Sequence, residues 1–299
     1  MKKQGHLLTM LMKNKWSKRT NLRRISVPYC RNSCYYKNIL LIAGDKMLPT
    51  KSILATWGKF NDFPMETLTK IWQYHNGHGK KQRDVSIMRE HREQFGITGN
   101  CFDLAIWLLD EFKKDGIKAY PIGHSLKTEN AHVAVVAISE NGNRFLCDLG
   151  DQWLTPILID SHSEDFVHEQ LSGFFPAANV QVKENENSTE ILYYRPNGKI
   201  SRQNYCKQPI EMEALMDAAE HSQNLIKKVP LLECRTPYKN EIAHWEFGNW
   251  ECTLSTSEGI LTQPKYNGLE ELAELIYQKT KYNKDLLLSI LEKYKSLQK

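Results

Sequence analysis

Beyond residue 63 the apolar positions fall into three successive patterns. Residues 64–76 and 84–95 read as two helices with a polar Asn/Gly/Lys stretch between them. A third helix is predicted over 101–115, where Phe102, Ala105, Ile106, Leu109 and Phe112 recur at helical spacing and Asp110, Glu111 and Lys114 take the other side. Gly116 ends it, as glycine does where the chain must turn left-handed after a helix. Strand patterns follow over 117–122, 132–138 and 144–149, near 180 and at 191–194, with turn signals at Asn141-Gly142 and Pro196-Asn197-Gly198. Residues 230–262 read as more strands, including an amphipathic run over 242–254. Helical spacing returns in Leu269, Leu272, Ala273 and Ile276, then in Leu287, Ile290, Leu291 and Tyr294. The order is helical, then β, then mixed, which predicts an α+β chain without internal repeats.

Charge divides the chain differently. The net charge of +5 over 299 residues is an average of unlike parts: residues 1–44 hold ten Lys/Arg and no acid. The remaining 30 basic and 35 acidic groups leave a body of net −5. That sign excludes nucleic-acid binding through bulk electrostatics. Residues 1–46 are expected to be a disordered or non-native basic arm, with Met47 as an alternative start. No run approaches the roughly 20 apolar residues that span a bilayer, so no membrane association is expected. Seven cysteines, odd in number and without a Cys-x-x-Cys pair, fit a reducing compartment, and a cytoplasmic location is expected. Cys30-x3-Cys34 lacks a partner pair at zinc spacing and His75-x2-His78 reads as a solvated loop, so no metal is expected. Neither a GxxxxGK[ST] loop nor a GxGxxG turn occurs, which argues against a nucleotide triphosphatase or a Rossmann oxidoreductase.

Three residues carry the candidate chemistry. Cys101 opens the predicted helix just after the polar Ile97-Thr98-Gly99-Asn100, where unpaired N–H groups favour a thiolate and Thr98 or Asn100 can cap. Alone, a cysteine there is more often core packing. His132 begins the apolar run Val133-Ala134-Val135-Val136, and Asp148 sits inside Phe145-Leu146-Cys147-Asp148-Leu149, where a buried carboxylate needs a partner. If the two strands form a hairpin centred on Glu140, His132 faces Asp148; a two-residue turn at Asn141-Gly142 pairs His132 with Asp151 and turns Asp148 away. The first arrangement supplies what thiol catalysis requires: an imidazole to take the proton of Cys101 and a carboxylate to orient the imidazole.

Gly99-Asn100-Cys101-Phe102-Asp103, Ala131-His132-Val133 and Cys147-Asp148-Leu149-Gly150 with the later Thr155-Pro156-Ile157 resemble the arylamine N-acetyltransferase family, as does the helical run over 268–277. The likeness covers roughly 60–299 and is strongest over 98–160. It implies a helical segment at 47–115 carrying the nucleophile, a central β-barrel at 116–225 and an α/β lid at 226–299 around a cysteine-protease-like core. It also implies ping-pong acetyl transfer from acetyl-CoA to an arylamine or hydrazine through Cys101, with His132 and Asp148 completing a triad. The expected partners are thus a small-molecule amine and an acyl-CoA. The family's usual Arg-Gly-Gly-Tyr before the cysteine is Ile97-Thr98-Gly99-Asn100 here, its Glu is Asp103, and its Phe-Gly after Asp-x-Gly is Asp151-Gln152. The pattern around Gly99, Cys101, Asp103 and Ala105 is also similar to the transglutaminase-like superfamily. That leaves an amidase or protease using the same three residues, or a non-catalytic binding relative, as alternatives.

Overall fold

The computed structural model describes residues 46–76, 79–263 and 265–298. The basic arm, Cys30, Cys34 and His78 lie outside them. Among the described residues, seven helices and thirteen strands follow in the order α1 (Lys51–Gly58), β1 (Met65–Glu66), α2 (Leu68–Asn76), α3 (Val85–Phe95), α4 (Cys101–Lys114), β2 (Ala119–His124), β3 (His132–Ile138), β4 (Arg144–Cys147), β5 (Ile157–Leu158), β6 (Leu171–Phe175), β7 (Ala178–Glu184), β8 (Ser188–Tyr194), β9 (Ile200–Cys206), α5 (Met212–Asn224), β10 (Leu231–Tyr238), β11 (Glu241–Gly248), β12 (Glu251–Thr256), β13 (Gly259–Thr262), α6 (Leu269–Thr280) and α7 (Lys284–Ser296). His75 falls within the last turn of α2, not in a loop. The sequence pattern missed α1, which is only eight residues long, and α5, whose buried face is largely alanine.

Helix α4 is more central than its single predicted stripe. Leu104, Trp107 and Leu108 are buried together with Phe102, Ala105, Ile106 and Phe112, so apolar neighbours surround most of its circumference. Its remaining polar residues reach the surface in an ion-pair group: Glu111 meets Lys59 at 3.0 Å and Arg89 at 2.6 Å. Such exposed pairs add little stability and leave the helix position to its apolar contacts.

All strands pair antiparallel in three sheets, ordered β2-β3-β4-β5, β6-β7-β8-β9 and β1-β10-β11-β12-β13. The barrel expected over 116–225 is therefore two four-stranded sheets with no ladder closing them. Pro121 explains part of the gap. It lies in the edge strand β2, its carbonyl accepts from Ile210 N at 2.8 Å just past β9, and it has no N–H to return on that edge. The run 242–254 is not one strand: Asn249 and Trp250, at φ 50° and 64°, turn β11 into β12 in a two-residue hairpin.

Buried apolar residues form two clusters. One joins α1, α3, α4, α5 and the first two sheets; the other joins α2, β10, β11, β12, α6 and α7 around Trp245, Phe247, Tyr282 and Tyr294. Helix α2 and strand β1 belong by sequence to the first half but pack with the C-terminal elements, and a cleft opens between the clusters.

Candidate active site

The start of α4 is over-determined. Asn100 is its N-cap, with Oδ1 accepting from Phe102 N at 2.9 Å and Asp103 N at 3.1 Å, while Asp103 Oδ2 accepts from Asn100 N at 3.2 Å. This reciprocal box satisfies donors that a helix start otherwise leaves open. Asp103 is itself gripped by Gln82 Nε2 and Gln223 Nε2, each at 2.9 Å, and by Arg83 Nη2 at 3.3 Å. Arg83 also donates to the carbonyl of Thr98. Gly99 makes room: at φ 153°, a Cβ there would lie 2.6 Å from the Cβ of Asp103. Thr98 caps nothing; its hydroxyl binds Pro64 O at 2.7 Å, and its N–H donates to Tyr282 Oη at 3.1 Å. Cys101 is the first residue of the helix so fixed, and it is partly exposed.

His132 and Asp148 come from neighbouring strands through a register between the two considered. Val135 pairs with Cys147 and Ile138 with Arg144. Beyond that, Ser139 N donates to Asn143 O at 2.9 Å, so the loop is Glu140-Asn141-Gly142. Gly142 takes φ 89°, as the third residue of a bulged three-residue hairpin requires. The turn is centred on Asn141 rather than Glu140, two pairing steps away in register and unchanged in parity. His132 and Asp148 thus share a face as diagonal neighbours instead of lying directly opposite.

On that face His132 Nε2–H donates to Asp148 Oδ2 at 2.7 Å. With Nε2 taken, Nδ1 is the ring nitrogen left for the hydrogen bond between His132 and Cys101. Gly150 measures how closely the three converge. A Cβ placed on it would lie 2.7 Å from Cys101 Cβ, 2.9 Å from His132 Cε1 and 3.2 Å from Asp148 Oδ1.

Two tyrosines and a second carboxylate complete the surroundings; the tyrosines were not singled out from the sequence, whereas Asp151 was considered there as the partner of His132 in the other register. Tyr205 Oη donates to Asp148 Oδ2 at 2.5 Å and Asp151 N donates to Asp148 Oδ1 at 3.0 Å. Asp151 Oδ1 lies 3.7 Å from His132 Nε2, and its Oδ2 accepts from Tyr193 Oη at 2.9 Å. Burial pushes the Asp148 carboxyl up, but the His132 charge and the bonds from His132, Tyr205 and Asp151 N outweigh it and hold it below the usual carboxylate value. Burial likewise pulls His132 down, and the two carboxylates overrule it, leaving the ring well above an ordinary histidine. Asp151 goes the other way: burial and the charge of Asp148 push it up to about 6. Tyr205 is the one buried residue of β9, in Ile-Ser-Arg-Gln-Asn-Tyr-Cys. The cysteines separate as well: burial raises the thiols of Cys147, Cys234 and Cys252, the last two to about 12 and about 11.

The cleft between the two apolar clusters has a volume of about 470 Å³ and reaches Cys101, His132, Gly150 and Asp151. Its walls differ in charge. Lys70 and Lys227 line one part, where Lys70 Nζ donates to Ser222 Oγ at 3.1 Å and burial lowers the lysine below its usual value. Glu233 and Glu246, from β10 and β11, line another. His132, Asp148 and Asp151 also bring one potential ligand atom each within 4.8 Å of one another, the single such group among the described residues. Among those residues no helix is long and apolar enough to cross a membrane.

Known structures share this fold. The arylamine N-acetyltransferase of Mycobacterium marinum in complex with CoA superposes with a TM-score of 0.62 at 8% identity, over 87% of this chain and 98% of that one. The Salmonella typhimurium arylamine N-acetyltransferase gives 0.62 at 12% identity, over 86% and 96%. That of Mycobacterium abscessus gives 0.62 at 14%, over 87% and 94%. No family model and no curated protein matches the sequence. The chain has the fold of the arylamine N-acetyltransferases, nearly complete and at very low sequence identity.

Proposed function

We propose that this protein is an acyltransferase that moves an acetyl group from acetyl-CoA to an amine through a thioester on Cys101. The observation that carries the reading is the convergence of Cys101, His132 and Asp148 on the one point above Gly150, at the wall of a cleft. Cys101 attacks the thioester carbonyl, His132 manages the proton, and Asp148 holds the ring with Nε2 engaged and Nδ1 toward the sulfur. Coenzyme A departs as the thiol, and the amine then attacks the acetyl-enzyme. Lys70 and Lys227 suit the anionic donor, which is a substrate of the site. The division into a nucleophile-bearing helical segment, a β middle and a C-terminal lid is part of the same reading.

The test is direct. Purified protein mixed with acetyl-CoA should gain the mass of one acetyl group, mapped to Cys101, and lose it on addition of an amine with formation of the amide. Absence of any acetyl on Cys101 removes the proposal. Hydrolysis of glutaminyl or peptide substrates without coenzyme A would replace it with amide-bond chemistry on the same residues.

A further inference from the structure

Asp151 is the residue in the cleft that the three-residue chemistry leaves unemployed. It follows Gly150 directly, lines the cleft with Cys101 and His132, and keeps Oδ2 occupied by Tyr193. Its other oxygen faces His132 Nε2 at 3.7 Å. Asp148, by contrast, is wholly buried and takes three hydrogen bonds, so its charge is already satisfied. The charged groups that act on Asp151 are Asp148, His132 and Glu233. His132 is the one cation of the three. Once Cys101 carries an acyl group and the departing thiol has taken the proton, His132 is neutral. Asp151 then faces the reaction centre with carboxylates on two sides and no cation. Lys70 and Lys227 line the same cleft but are not among the charges that act on Asp151.

We propose that Asp151 receives the acceptor as an ammonium ion and that the acceptor class is a cationic alkylamine rather than a neutral arylamine. This rests on the acyl-transfer reading and narrows it. The ammonium lies where the imidazolium charge was lost, with Glu233 and Glu246 on the same cleft adding to the negative potential. As the nitrogen approaches the thioester, one N–H proton passes to Asp151 and the freed lone pair forms the C–N bond. The C–S bond breaks with its electron pair on Cys101. His132 takes the second N–H proton, which restores the thiolate–imidazolium pair, and Asp151 releases its proton to solvent. Asp151 is a catalytic residue in this scheme, and the Phe-Gly of the resembled family is replaced at just this point.

Benzylamine and aniline test it, being similar in size but cationic and neutral respectively at neutral pH. Acetyl-enzyme is prepared with acetyl-CoA, verified on Cys101 by intact mass, and discharged by each amine. Benzylamine is expected to have a kcat/KM about tenfold or more above that of aniline, and D151N to cut that ratio by about tenfold. The ratio in the unmutated protein stands by itself if D151N does not fold. Faster discharge by aniline, or a ratio that D151N leaves in place, overturns the proposal while the acyl-transfer reading survives. Failure of Cys101 to become acetylated overturns both.

Discussion

At the level of single residues, Gly150 is the position where the smallest change should do the most. A methyl group there would press on Cys101 and His132 at once. Gly150→Ala is therefore expected to lower Cys101 acetylation by about a hundredfold or more, while overpacking costs about 1–3 kcal/mol of stability. Intact mass against time, with thermal melting alongside, checks both halves. Reactivity should single out Cys101 among the described thiols. Iodoacetamide at about pH 6 is expected to label Cys101 ahead of the exposed Cys206, and His132→Gln should remove the lead. Asp151 links the site to stability. Its carboxyl rises from 3.8 to about 6 on folding. The folded protein therefore holds more protons than the unfolded chain between those values, and stability falls as pH rises through that window. Asp151→Asn should be the more stable protein at neutral pH, by on the order of 1–3 kcal/mol, with the gain fading below about pH 4. Melting temperatures across that range decide it. Cys101, His132 and Asp148 were legible in the sequence because each stood where a bland residue was expected. Tyr205 was not: its partner lies 57 positions away, and only the placement of the second sheet against the first brings it over.

Among the elements, the start of α4 and the β3–β4 hairpin set the site, and they were legible to different degrees. The capping role of Asn100 follows from residue type and position, since a short polar side chain before a helix binds the first N–H groups. The grip on Asp103 does not, because Gln82, Arg83 and Gln223 reach it from three separate segments. Two substitutions separate the contributions. Asn100→Ala should cost about 1 kcal/mol, the ordinary worth of a cap. Asp103→Asn strips a buried guanidinium of its anion and should cost about 3–5 kcal/mol, measured by denaturant unfolding. In the hairpin, hydrophobic alternation fixed the parity that puts His132 and Asp148 on one face. The exact step depended on whether Glu140 joined the loop, and that is decided by the left-handed conformation of Gly142. The open edge at β2 was also latent in the sequence, as Pro121, although only the structure shows that the segment after β9, at Ile210, meets it.

At the scale of the whole molecule, residues 281–294 brace the loop in front of Cys101 and the start of α2. Tyr282 Oη accepts from Thr98 N, Asn283 N donates to Phe95 O at 2.8 Å, and Tyr294 Oη donates to Thr67 O at 2.8 Å. A Cβ on Gly96 would lie 2.9 Å from Lys281 O, so the two backbones lie almost in contact. Tyr282→Phe leaves the Thr98 N–H buried without its acceptor. It should cost about 1–3 kcal/mol and lower kcat more than it raises KM, because the loop that aims Cys101 loosens while the cleft walls remain. Steady-state kinetics beside a melting curve checks this. None of these contacts could be read from spacing, since they join residues separated by 184 to 227 positions. The same brace has a consequence for how the protein comes into being. In a nascent chain Cys101 leaves the ribosome long before Tyr282, which holds the loop in front of it. A chain without Tyr282 and Asn283 keeps Cys101, His132 and Asp148 but loses the contacts that hold Phe95 and Thr98 in front of Cys101.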